Sequence, residues 1–317
     1  MRRILLIVYL FIIGVTMATP ARAALHGSWH ARMSSDHSLQ LSLSYEHNEW
    51  GHSIELADLT GLTDGQLHSS GNTPVRFTVT RGAGTIALEG IFGDGDGGGK
   101  FTFTPNAKYA GELRSLGVAS SDLDEEQLFS LAILDVSTQF IRDMQALGYR
   151  GPLEDYKRFR IHGANPQFVR DLQALGYRDL SAEDLIRFRI HGVSAEYVRS
   201  MNELGYKPSA EDLVRFRIHG VSPDLVKTLH GLGYRNVASE DLVRFRIHGV
   251  SPEYLHELKD LGYTPAAEDL VRMRIHGVSG EFIRSLKDAG YSGIPVEKLI
   301  EMRIHGIDAK YLKAMSK

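Results

Sequence analysis

The chain has 317 residues, with 36 lysines and arginines against 39 aspartates and glutamates, a formal net charge of −3 and no cysteine. The lack of cysteine excludes a disulfide framework, a lipid-modified cysteine and thiol chemistry, so stability must come from packing. The mild acidity argues against a general nucleic-acid binder.

Arg2 and Arg3, an apolar run from Ile4 to Val15 and the stretch Ala21-Arg22-Ala23 follow the order of a secretory signal peptide. Residues 1–23 are therefore expected to be removed, leaving an exported chain, periplasmic or extracellular. The apolar run is shorter than the roughly 20 residues a membrane span needs, and no later stretch approaches that length. No membrane span is expected after cleavage.

From residue 24 to 104 apolar and polar residues alternate, in "LQLSLSYE" (Leu39 to Glu46), "VRFTVTR" (Val75 to Arg81), "TIALEGIF" (Thr85 to Phe92) and "KFTFT" (Lys100 to Thr104). This period predicts half-buried antiparallel strands in a small sheet or sandwich. Arg81-Gly82-Ala83-Gly84 and the glycine-rich run Gly93 to Gly99 are turn signals. Asp94 and Asp96 in that run lack the further oxygen ligands of a calcium loop. His47, Glu49 and His52 are a candidate zinc cluster, but an unbulged strand sends His47 and His52 to opposite faces. No metal or other cofactor is expected.

Residues 105–317 are repetitive. The glycine of "RIHG" recurs at Gly163, Gly192, Gly220, Gly249, Gly277 and Gly306, and a "GY" pair ends at Tyr149, Tyr177, Tyr206, Tyr234, Tyr263 and Tyr291. The glycines are 29, 28, 29, 28 and 29 residues apart. Long linkers carry an extra apolar residue (Leu180, Val237, Ile294) where short ones place a proline (Pro152, Pro208, Pro265).

A period of this length means a solenoid, propeller or array, and the local pattern selects helices. Ser181 with Asp184 approximates a capping box, and Leu185, Ile186, Phe188 and Ile190 form an apolar arc. Gly192 ends the helix in a left-handed cap with Val193 folding back towards Phe188. Ser194 then caps a second helix that ends at Gly205. Each repeat is thus a hairpin of two short helices, marginal alone and stabilised by stacking. The fold class expected is α+β multidomain, an antiparallel β-domain followed by an α-solenoid. Residues 105–136 are read as its N-terminal cap and 307–317 as a C-terminal half repeat.

In the repeats the first arginine (Arg158, Arg187, Arg215, Arg244, Arg272) follows a glutamate by four residues, which suits an ion pair within the helix. The second arginine (Arg160, Arg189, Arg217, Arg246, Arg274, Arg303) falls inside the apolar arc. Either its stem packs between hairpins and its guanidinium meets a carboxylate or helix-end carbonyl of a neighbour, or six forks grip an extended anionic or peptide ligand. His162, His191, His219, His248, His276 and His305 end the first helices, where capping is their ordinary role and a pH-responsive surface the other. These twelve residues are the candidate partner-binding set.

The repeat "LVRFRIHGVSPEYLHELKDLGY" (Leu242 to Tyr263) resembles repeats that follow the peptidase region of some bacterial membrane receptors of the BlaR/MecR type, or that occur in small exported proteins. "GTIALEGIFGDGDGGGKFTFTP" resembles sequence preceding such repeats. The receptors' H-E-x-x-H motif, transmembrane bundle and serine-based penicillin-binding signature do not occur here, so no catalytic residue carries over. The resemblance implies an extracytoplasmic accessory role near envelope stress or antibiotic sensing. The expectation is a non-enzymatic interaction module with a protein or peptide partner in the envelope and no nucleic acid. The competing readings are a metal-dependent hydrolase built on the β-domain and a structural envelope component.

Overall fold

The computed structural model describes residues 24–34, 38–119 and 121–315. The signal-peptide segment and Lys317 lie outside them. The chain divides into two compact units, one running to Gly111 and including Ser121–Asp135, the other comprising Glu112–Ser120 and the chain from Val136 on. Among the described residues no helix is long and apolar enough to cross a membrane.

The first unit is a curled antiparallel sheet of seven strands: β1 (His26–Met33), β2 (Ser38–Tyr45), β3 (Asn48–Glu55), β4 (Leu59–Thr60), β5 (Thr73–Arg81), β6 (Gly84–Gly93) and β7 (Asp96–Pro105), in the order β3-β2-β1-β7-β6-β5-β4. The alternation sets the register. Leu39, Leu41, Leu43, Val75, Phe77, Val79, Ile86, Leu88, Phe101 and Phe103 are all buried, while Arg76, Glu89 and Lys100 pair across strands on the other face. β1 and β3, which alternation had not singled out, carry fewer aliphatic residues. They are secured by pairing with β2, and by Trp29, whose indole donates to the Glu89 carbonyl at 3.1 Å.

The glycine-rich run is not one long turn. Only Asp94 and Gly95 turn, both at positive φ (51° and 77°), and Gly97, Gly98 and Gly99 continue β7. Their lack of side chains has a steric purpose. A Cβ on Gly97 would stand 2.1 Å from the Phe92 ring, and one on Gly99 2.0 Å from the Glu89 carbonyl oxygen.

Two helices belong wholly to this unit, α1 (Asp64–Leu67) and α3 (Glu125–Ile133); the short α2 (Tyr109–Ser115) spans the division. On α3, Phe129 is fully buried, stacked on Phe101 at 5.3 Å and edge-on to Trp50 at 5.3 Å. The segment read as the solenoid's cap therefore splits. Its α3 part covers the sheet, because Phe129 gives that helix an aromatic face suited to the Phe101 and Phe103 rings. Asp135 still takes the left-handed conformation in place of the repeat glycine (φ 50°).

The second unit is a solenoid of paired short helices. The first helices of the repeats are α5 (Leu153–His162), α7 (Ala182–Ile190), α9 (Ala210–His219), α11 (Ser239–Ile247), α13 (Ala267–Ile275) and α15 (Val296–Ile304). The second helices are α4 (Thr138–Ala146), α6 (Pro166–Ala174), α8 (Ala195–Glu203), α10 (Pro223–Gly231), α12 (Pro252–Asp260), α14 (Gly280–Asp288) and α16 (Ala309–Met315). From α4 to α15 each helix packs on the helix two places along, so first helices stack on first helices and second on second. The caps are those the sequence calls for. The Ser181–Asp184 box closes, Ser194 accepts from the Tyr197 amide, and the Val193 amide reaches the Phe188 carbonyl at 2.7 Å.

The alternating linker length also has a structural basis. Tyrosine hydroxyls donate to a carbonyl 31 residues on, Tyr177 to Pro208 at 2.7 Å and Tyr263 to Ile294 at 2.9 Å. The short linkers deliver that carbonyl on a proline, and the long linker at Ile294 delivers it after one more residue taken through the left-handed Gly293 (φ 70°). The long linker at Val237 turns likewise at Asn236 (φ 58°), but there the Tyr206 hydroxyl is buried without a hydrogen bond.

Candidate functional site

Each first helix ends in arginine, isoleucine and histidine, and stacking brings the six copies into one edge. In five of the six copies the second arginine lies over a ring on the preceding second helix: Arg160 on Phe140, Arg189 on Phe168, Arg217 on Tyr197, Arg274 on Tyr254 and Arg303 on Phe282, at 4.7 to 5.3 Å from the ring centroids. The guanidinium also reaches the end of the preceding first helix, where Arg189 Nε donates to the His162 carbonyl at 3.2 Å and Arg274 Nε to that of His248 at 3.3 Å. Arg189 and Arg274 thus make the helix-end carbonyl contact between hairpins, one of the two roles open to these arginines.

Arg246 is the exception. Leu225 stands where the ring would be, and Arg246 Nε is buried with no hydrogen-bond partner.

The first arginines depart from the expected pairing within the helix. Arg158, Arg187 and Arg215 each reach the glutamate of the following repeat, Glu183, Glu211 and Glu240, at 2.7 Å, and Arg272 reaches Glu297 at 2.8 Å. Parallel stacking brings the next helix's first turn nearer to the arginine tip than its own. These hydrogen bonds hold the Glu211 and Glu297 carboxyls below the usual carboxylate range. Arg244 pairs instead with Asp241 of its own helix, at 3.1 Å.

The histidines serve the C-terminus through the backbone rather than the ring. His191, His248, His276 and His305 are the cap residues, and His162 and His219 the last helical ones. The carbonyls of His162 and His248 accept the arginine bonds just described. The imidazoles of His162, His191, His219 and His248 are half-buried, and those of His276 and His305 exposed.

Between them lies a row the helical arc did not foresee. Ile161, Ile190, Ile218, Ile247, Ile275 and Ile304 are 54 to 56% exposed. Ile190 was expected in the core with Leu185, Ile186 and Phe188, which are fully buried. Phe188 already provides the buried contact that the cap requires, and a residue two places on points away from the stack. The signal available in the sequence was the recurrence of isoleucine at a position the core does not need.

On the sheet, the residues considered for metal binding do not converge. Regular pairing places His52 opposite Leu41, on the face of Trp50 and Ile54, while Glu49 is opposite Ser44 on the other face and His47 lies in the β2–β3 turn. Asp96 is engaged by Arg32 and His30, both at 2.9 Å, and these contacts lower its pKa, Arg32 most. Among the described residues no three His, Asp or Glu side chains are placed to share a metal ion.

Comparison with protein-family models, with curated proteins and with solved structures gives no match for this chain.

Proposed function

We propose that this chain is a non-enzymatic interaction module of the cell envelope, in which the helical repeats present an extended surface to a protein or peptide and the sheet domain positions it. One observation carries the reading: the Arg-Ile-His group recurs on six stacked helices with nearly constant isoleucine exposure. Chemistry at a reacting atom needs one convergent set of groups, whereas recognition of an extended partner gains from every added rung. The sequence resemblance connects the role to envelope stress or antibiotic sensing.

The test is recovery of the chain from its native envelope after mild crosslinking, beside a His191→Ala, His219→Ala, His248→Ala variant of unchanged helicity. A specific envelope protein or peptide retained by the parent and depleted with the variant is the expected result. Recovery of no partner would count against the reading, and equal recovery with both chains would remove the histidines as its binding groups.

A further inference from the structure

We propose that the isoleucine row is a self-association surface, on which the row of a second copy of this chain packs. The inference rests on reading the repeats as an interaction surface and names one partner for it.

Four features of the row select that occupant. The first is area. Six isoleucines at 54 to 56% exposure leave on the order of 100 Å² each, roughly 600 Å² together, which is most of the roughly 800 Å² that one partner gives to a stable interface. The second is shape. The widest clefts among the described residues, about 800 Å³ over the Arg76–Glu89–Lys100 face of the sheet, about 550 Å³ beside His30 and Arg32 and about 440 Å³ between Tyr149 and Ser181, are not lined by these isoleucines. A small ligand or an isolated peptide is normally held in a concavity. A projecting row is suited to interdigitation with another row.

The third feature is period. A partner must offer apolar groups at the interval of the rungs, and a second copy does so by construction. The repeat spacings of 29, 28, 29, 28 and 29 residues read the same from either end. An antiparallel two-fold pairing therefore keeps every rung in register, with Ile218 of one copy opposite Ile247 of the other. The fourth is charge. Five of the six adjacent guanidiniums are already seated on rings. Glu196, Asp224, Glu253 and Glu281 follow in the first turns of the next helices, so the edge is not a field of one sign that would drive two copies apart.

Sedimentation velocity on the chain purified after export, from about 1 to about 100 µM, tests this beside an Ile190→Thr, Ile218→Thr, Ile247→Thr variant that keeps the β-branched shape. The parent is expected to form dimers, and the variant to raise the dissociation constant roughly 100-fold with helicity and thermal midpoint unchanged. A parent that stays monomeric across the range, or a variant that dimerises as tightly, overturns the proposal. If the triple variant loses helicity, Ile218→Thr alone decides, with a rise of roughly tenfold expected and an unchanged constant counting against. A monomeric parent leaves the envelope-partner reading intact, because the crosslinking test reads a different protein. Loss of that partner in turn leaves the dimer standing.

Discussion

The Arg274 guanidinium lies 4.7 Å from the centroid of the Tyr254 ring. The same arginine donates to the His248 carbonyl at 3.3 Å, so one side chain joins both helices of the preceding repeat. A lysine there would keep the charge but lose the planar fork and its fit to the ring. Arg274→Lys is expected to destabilise the helical unit by about 1 kcal/mol. A lowered urea midpoint with unchanged helicity in water would show it.

Arg246 is the rung without a ring, since Leu225 occupies that position, and its Nε is buried and unbonded. Leu225→Phe would restore the arrangement of Phe168 under Arg189. The gain expected is about 0.5 to 1 kcal/mol, the range of a partly exposed cation–π contact. Slower hydrogen exchange in α10 and α11 would confirm it, and faster exchange would mean that the ring overfills the site.

Two glycines with similar backbones should differ in their tolerance of a methyl group. Gly249 (φ 75°) would place a Cβ 2.9 Å from Arg274 Nη2, whereas Gly262 (φ 89°) has nothing within 4 Å. Gly262→Ala is expected to cost about 1 kcal/mol for the left-handed conformation alone. Gly249→Ala adds the displaced arginine, for about 2 kcal/mol in all. Equal losses on thermal or urea unfolding would show that the arginine yields freely.

Burial, with the Asp184 charge adding to it, pushes the Tyr149 phenol up to about 12, and burial raises the Tyr197 and Tyr254 phenols as well. A folded-state pKa above the unfolded value near 10 contributes stability that is complete below about pH 10 and is lost as pH rises through the folded value. Alkaline unfolding is therefore expected to set in above about pH 10, with phenolate absorbance rising together with loss of helicity. Tyr197 and Tyr254 donate to the Val221 and Val278 carbonyls at 2.8 Å. Replacing both by phenylalanine should reduce the alkaline sensitivity and lower stability at neutral pH.

The fold was largely legible because its signals are local and repeated. Gly192, Val193 and Ser194 state a stop, a clasp and a start within three residues, and the structure uses each of them so. What depends on the neighbouring repeat was harder to read. The Arg187–Glu211 bridge spans 24 residues and competes in sequence with an equally plausible pair inside the helix. Ile190 was misplaced because a wheel drawn on one helix cannot tell which part of a broad arc the next hairpin covers. On the sheet, β1 and β3 have little alternation of their own and depend on β2. The edge was visible as a motif from the outset, but its apolar row was not, since exposure belongs to the stack and not to the repeat.

Five of the six second arginines reach in one direction, from their own repeat back onto a ring of the repeat before it. Along those rungs the solenoid is laid like roof tiles, a hairpin held down by the one that follows. Parting two neighbouring hairpins uncovers a ring that water can wet on one side of the seam and strands a guanidinium on the other, as at Phe282 and Arg303. Every such seam therefore has an apolar lip and a charged one, which gives a chain of near-identical units a sense of direction.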